Sequence, residues 1–137
     1  MTNGIGLYPV SLEVVCEGIV GGASLTLNLL VHASDGLVYG SGEITQALEP
    51  PYGNRPISSI TGQILHTGFG EDERLVLLRG TYWMPGPPTM PYLIECPVIA
   101  GLVVDAEWSG TGSFHYGQNG SQVCKKARVT KIRPKGE

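Results

Sequence analysis

The segment Ser24-Leu25-Thr26-Leu27-Asn28-Leu29-Leu30-Val31 places Leu25, Leu27, Leu29 and Val31 at every second position. Side chains on a β-strand alternate between two faces, so this period buries one face of a strand and matches no helix. Ser34-Asp35-Gly36 follows as a hairpin turn, and Val38 to Ile44 returns. Upstream, Leu12, Val14 and Cys16 alternate with Ser11 and Glu13 until Gly21-Gly22. Further strand runs cover Ile57 to Phe69, Arg74 to Met84, Tyr92 to Val104, Asp105 to Tyr116 and Gln122 to Ile132. Gly70-Glu71-Asp72, the prolines between Pro85 and Pro91, and Gln118-Asn119-Gly120 separate them. Pro97 is expected to split its strand or move it to an edge. No segment carries a capped, amphipathic helical period.

Glycine refines this pattern. It supplies 20 of 137 residues, roughly twice the usual share. Ser41-Gly42-Glu43-Ile44, Thr61-Gly62-Gln63-Ile64, Arg79-Gly80-Thr81-Tyr82 and Thr111-Gly112-Ser113-Phe114 repeat one pattern: polar, glycine, polar, bulky apolar. By parity each glycine shares the core face with large residues, such as Val38 and Ile44 or Leu78 and Tyr82. Glycine weakens a strand unless the chain must bend or something must come close. Tight coiling is the reading favoured here, and a ligand cavity under the glycines is the alternative. The expected fold is all-β: a single antiparallel meander of about eight strands closed as a small β-barrel, with a two-sheet β-sandwich as the alternative. Residues 1–137 form one domain, in which 125–137 are a basic last strand and tail.

Charge is unevenly spread. All but one of the 12 acids lie within residues 1–124, where the only cations are Arg55, Arg74 and Arg79. Lys125, Lys126, Arg128, Lys131, Arg133 and Lys135 crowd the end. No aromatic residue interleaves with them as a base-stacking platform would require, which argues against nucleic acid and for a solvated edge strand. No apolar run reaches the length of a helical membrane span. The start lacks the pattern of a signal peptide, and three scattered cysteines, Cys16, Cys96 and Cys124, make no disulfide framework. The resulting expectation is a cytoplasmic protein, with non-classical export left open.

Motifs for chemistry are sparse. His32, His66, His115 and the cysteines show no metal-ligand spacing, and no serine sits in a Gly-x-Ser-x-Gly turn. Asp105 and Glu107, two apart, read as a solvated acidic face beside a core Trp108. No catalytic residue, metal site or cofactor is assigned. A small apolar ligand would be lined by His66, Tyr82, Trp108 and Phe114. The segment from Tyr82 to Tyr92, rich in Trp, Met and Pro, offers Trp83, Met84, Met90 and Tyr92 as an interaction surface or a rigid cap. Strand 74–84 is apolar on both parities, as a homodimer contact or a second layer would require.

The glycine-kinked meander resembles the avidin-like and lipocalin-like barrels, with Arg79-Gly80-Thr81-Tyr82 and Trp108-Ser109-Gly110-Thr111 echoing avidin-type strands. The likeness covers about four strands and implies architecture only. Trp83 and Trp108 are the only tryptophans, so neither the biotin cage nor the lipocalin Gly-x-Trp is present. The chain also looks like one of the small bacterial all-β families without an assigned activity. The function expected is a non-enzymatic barrel module binding a small apolar ligand or a protein partner. A barrel-type isomerase or cyclase, and an assembly component acting through loop 83–92, are the alternatives.

Overall fold

The computed structural model describes residues 6–18, 22–46, 53–70, 72–86, 92–117, 120 and 122–132. Eight strands follow in order: β1 (Leu7–Cys16), β2 (Ser24–His32), β3 (Leu37–Thr45), β4 (Asn54–His66), β5 (Arg74–Pro85), β6 (Leu93–Val104), β7 (Gly110–Tyr116) and β8 (Gln122–Ile132). Each pairs antiparallel with the next, and β8 returns to β1 through Ser11↔Ile132 to Cys16↔Ala127. The sheet is therefore a closed up-and-down barrel, and among the described residues there is no α-helix. Closure removes the free edges that an open sheet would expose. The basic last strand is accordingly the closing stave between β7 and β1, not the edge strand expected from its lysines.

Alternation delivers the core. Leu25, Leu27, Leu29 and Val31 are all buried, opposite buried Val10, Leu12 and Val14 of β1. The glycine tier lies on this inner face. Gly42 pairs with Leu27, Gly62 with Leu78, Gly80 with Ile60, and Gly112 with Leu102. A β-carbon on Gly80 would stand 2.7 Å from Ile57 Cγ2, and one on Gly112 would stand 2.6 Å from the Gly101 carbonyl oxygen. Neighbouring strands have closed over the missing side chains, so the glycines serve curvature. The void beside Gly80, Ile57, Ile60 and Leu78 is about 10 Å³, no larger than a single water needs.

Two of the ladders slip where a serine next to a glycine faces a polar doublet, Ser41 in one and Ser113 in the other. Pairing shifts between Gly40 and Gly42, opposite Ser58-Ser59, and between Gly112 and Phe114, opposite Lys125-Lys126. Both residues of each doublet are exposed, while Ile57 and Ile60, or Cys124 and Ala127, are buried on either side. An extra residue at a bulge reverses the parity of everything beyond it.

Pro97 does not split β6: it pairs with Thr81, and β6–β7 pairing begins only at Ile99↔His115, so Pro97 stands where β6 is an edge on its β7 side and no partner there needs its N–H. Two local expectations are corrected. Asp105 and Glu107 lie on a turn, not a strand. The Asp105 carboxylate accepts the backbone N–H of Glu107 at 2.9 Å and of Ser109 at 3.1 Å. This Asx-type turn carries Trp108 at φ 61°, its side chain buried. Finally, Cys16 and Cys124 are disulfide-bonded, their Cα atoms 5.8 Å apart across the β1–β8 seam. Distant spacing hid the pair, and barrel closure brings the first and last strands together. Cys96 is a buried free thiol.

Candidate functional site

The sequence-derived ligand set divides between the two ends of the barrel. Tyr82 and Phe114 are wholly buried at the end where β4, β6 and β8 begin. Trp108 is buried at the opposite end, with the Arg74 guanidinium 5.7 Å from its ring centre. His66 ends β4 and is exposed, outside the core. Of the proposed interaction residues, Trp83 and Tyr92 are exposed, beside exposed Leu93. Met84 packs partly against the core, and Met90 lies outside the described residues.

Two other features draw attention. The first is an open groove of about 490 Å³ on the outer wall, across β3, β4, β5 and β6. Two adjacent rungs build it: Tyr39–Thr61–Arg79–Ile99 and Leu37–Gln63–Leu77–Gly101. Tyr39 is 50% exposed, Leu77 41% and Ile99 48%. Gly101, paired with Leu77, adds no side chain to this part of the wall: a β-carbon there would meet only Leu77 Cδ2, at 3.8 Å. Arg79 is the one charged lining residue. Above the groove, at the β4–β5 turn, Phe69 is 92% exposed. The Thr67 hydroxyl donates to Glu73 at 2.8 Å and accepts the Phe69 backbone N–H at 3.1 Å, fixing the turn that presents the ring.

The second feature is the mouth where β4 begins. Arg55, only 7% exposed, is the sole buried charged residue among those described. Its Nη2 donates to Gln46 Oε1 at 2.6 Å, and that oxygen also accepts from the Tyr116 hydroxyl at 3.5 Å. The Gln46 N–H donates to the Gly53 carbonyl and joins the two strand ends that carry these side chains. The guanidinium lies 5.7 Å from the Tyr82 ring centre and 5.5 Å from that of Tyr116, within cation–π range. Arg55 Nε and the Tyr82 hydroxyl are both buried without a hydrogen-bond partner. Parity counted from Ile60 and Ile64 places Arg55 outside; the bulge at Ser58-Ser59 turns it inward. That polar doublet is the signal that could have revealed it.

Burial pushes the Tyr82 phenol above its ordinary value, helped by neighbouring Cys96 and opposed by Arg55. Burial likewise raises the Cys96 thiol, against the pull of Tyr82 and Arg55. Neither group is poised as a nucleophile; both are held protonated. The folded state keeps these protons longer than the unfolded chain does, so their contribution to stability is complete below the ordinary values. Stability should therefore begin to fall as pH rises past 9.0, the thiol value, and fall further past 10.0, the phenol value. Urea midpoints measured against pH test this. Replacing Tyr82 with Phe and Cys96 with Ala together should flatten the alkaline limb, and an unchanged slope would refute the assignment.

The arrangement defines a closed eight-stranded meander barrel with a packed core, a grooved outer wall and, among the described residues, one buried cation. Over residues 5–122 the chain matches the family model described as a domain of unknown function, DUF1842. The chain belongs to that family. No curated protein matches it.

Proposed function

We propose that this barrel is a non-enzymatic protein-interaction module that binds through the outer wall of β3–β6. The carrying observation is the contrast between a packed interior and an open, apolar groove outside. Among the described residues, the core has no ligand-sized hollow under the glycine tier, which weighs against both an internal apolar ligand and an isomerase or cyclase pocket. The occupant that fits the groove is a second copy of this chain. The β4–β5 turn offers an exposed aromatic ring, Phe69, and, three positions on, the exposed Asp72. The groove offers apolar walls and the single cation Arg79. A two-fold axis near Leu65 and Leu75 would lay each turn over the other copy's groove, the self-complementary contact that closed dimers use.

Sedimentation over a concentration series tests the proposal. The wild type is expected to dimerise. Phe69→Ser and Leu77→Asp, both at exposed positions, should each raise the dissociation constant at least about tenfold, as loss of a central anchor does. A wild type that stays monomeric throughout, or a Phe69→Ser variant that dimerises normally, would refute it. The exposed Trp83–Leu93 rim supports a second contact surface, and Trp83→Ser reports on that rim separately. As for compartment, the Cys16–Cys124 disulfide favours oxidising surroundings over the cytoplasm.

A further inference from the structure

The geometry at the Arg55 mouth points to an anion site, and we propose that it takes a small carboxylate. A buried guanidinium is stable only when its charge and its N–H groups are answered. Here a neutral amide, Gln46, accepts one N–H and two tyrosine rings face the cation. No ion pair to Arg55 occurs among the described residues. Its Nε–H remains unanswered, and so does the nearby hydroxyl of Tyr82, an O–H donor at neutral pH like any tyrosine. A carboxylate matches the planar fork of a guanidinium, one oxygen to Nε and the other to a terminal nitrogen. The Tyr82 O–H would donate to the same group. Arg55 is the second residue of β4, at the rim of the barrel. The Tyr82 and Tyr116 rings beside it favour a small or flat ligand over a hydrated divalent anion.

The experiment follows the unfolding midpoint of the full chain in formate, acetate, chloride and sulfate at constant ionic strength, with formate binding measured by calorimetry. Formate and acetate are expected to raise the wild-type midpoint saturably and more than chloride or sulfate do. Arg55→Gln should abolish the response. Tyr82→Phe, which keeps the ring and the fold, should weaken formate binding about tenfold, as loss of a hydrogen bond to a charged group does. An absent or unsaturable response in the wild type overturns the proposal, and so does an unchanged formate affinity in Tyr82→Phe. Chloride binding as strongly as formate overturns the carboxylate assignment. Glu49→Gln controls for a partner within the chain, Glu49 lying outside the described residues. A formate response seen only in that variant overturns the proposal, because the added ion would then replace the chain's own carboxylate.

Discussion

Reducing the Cys16–Cys124 bond should lower the unfolding free energy by about 2–5 kcal/mol, the usual cost of losing a native disulfide from a small domain. The two residues are 108 apart in sequence. In the chain-entropy account a cross-link closing about 100 residues restricts the unfolded ensemble by about 4.7 kcal/mol. The bond also holds the one ladder, β1–β8, that does not join sequence neighbours. Urea denaturation of the oxidised protein, the reduced protein and the Cys16→Ser/Cys124→Ser variant measures the effect, with Cys96 retained throughout. The reduced protein and the double variant should agree, since both lack only the cross-link. A loss below about 0.5 kcal/mol in both would mean that the ladder hydrogen bonds alone secure the seam.

Adding a methyl group should have opposite consequences at two glycines that flank Leu77 and Leu78. A β-carbon on Gly62 would collide with the Leu77 carbonyl oxygen and lie 2.7 Å from Leu78 Cδ2. The carbonyl is backbone and cannot turn aside without breaking the β4–β5 ladder. Gly62→Ala should therefore cost about 3 kcal/mol or more, the upper range for overpacking. Gly101 lies on the outer face, where a β-carbon would meet only Leu77 Cδ2 at ordinary contact distance. Gly101→Ala should be neutral or stabilising by about 0.4–1 kcal/mol, because the substitution restricts the unfolded chain. Thermal or urea melts of the two variants decide the matter. Similar effects at both positions would contradict the curvature role assigned to the inner glycines.

Strand positions and inner faces were legible because a period of two is a local property, and each segment between turn signals displays it. Barrel closure was favoured over a sandwich through Gly42, Gly62, Gly80 and Gly112, whose shared inner parity suits a tightly coiled sheet. Three things were hidden, each for a non-local or phase-breaking reason. The Cys16–Cys124 pairing depends on which strands meet, which no spacing rule encodes. Asp105 to Ser109 alternates polar and apolar residues as a strand would, yet the Asp105 carboxylate gathers two backbone N–H groups and forces a turn. Arg55 lies before the strand run expected from Ile57, and the extra residue at Ser58-Ser59 inverts any parity count carried back to it. The grouping of His66 with Trp108, Tyr82 and Phe114 followed parity alone. Parity says which face a residue takes, not which end of the barrel it occupies.

The β1–β8 seam also bears on how the chain reaches this state. Every other ladder is a hairpin or short connection between consecutive strands, and such contacts form early because little loop entropy opposes them. Joining β8 to β1 must bring together segments separated by nearly the whole sequence, so closure of the ring is the step that local propensity cannot accelerate. Before it happens, β1 and β8 are both free edges, open to pairing with the same strands of another molecule. A covalent link at Cys16 and Cys124 keeps those two edges near each other from the outset, so an oxidised chain meets its own partner strand before it meets a stranger's.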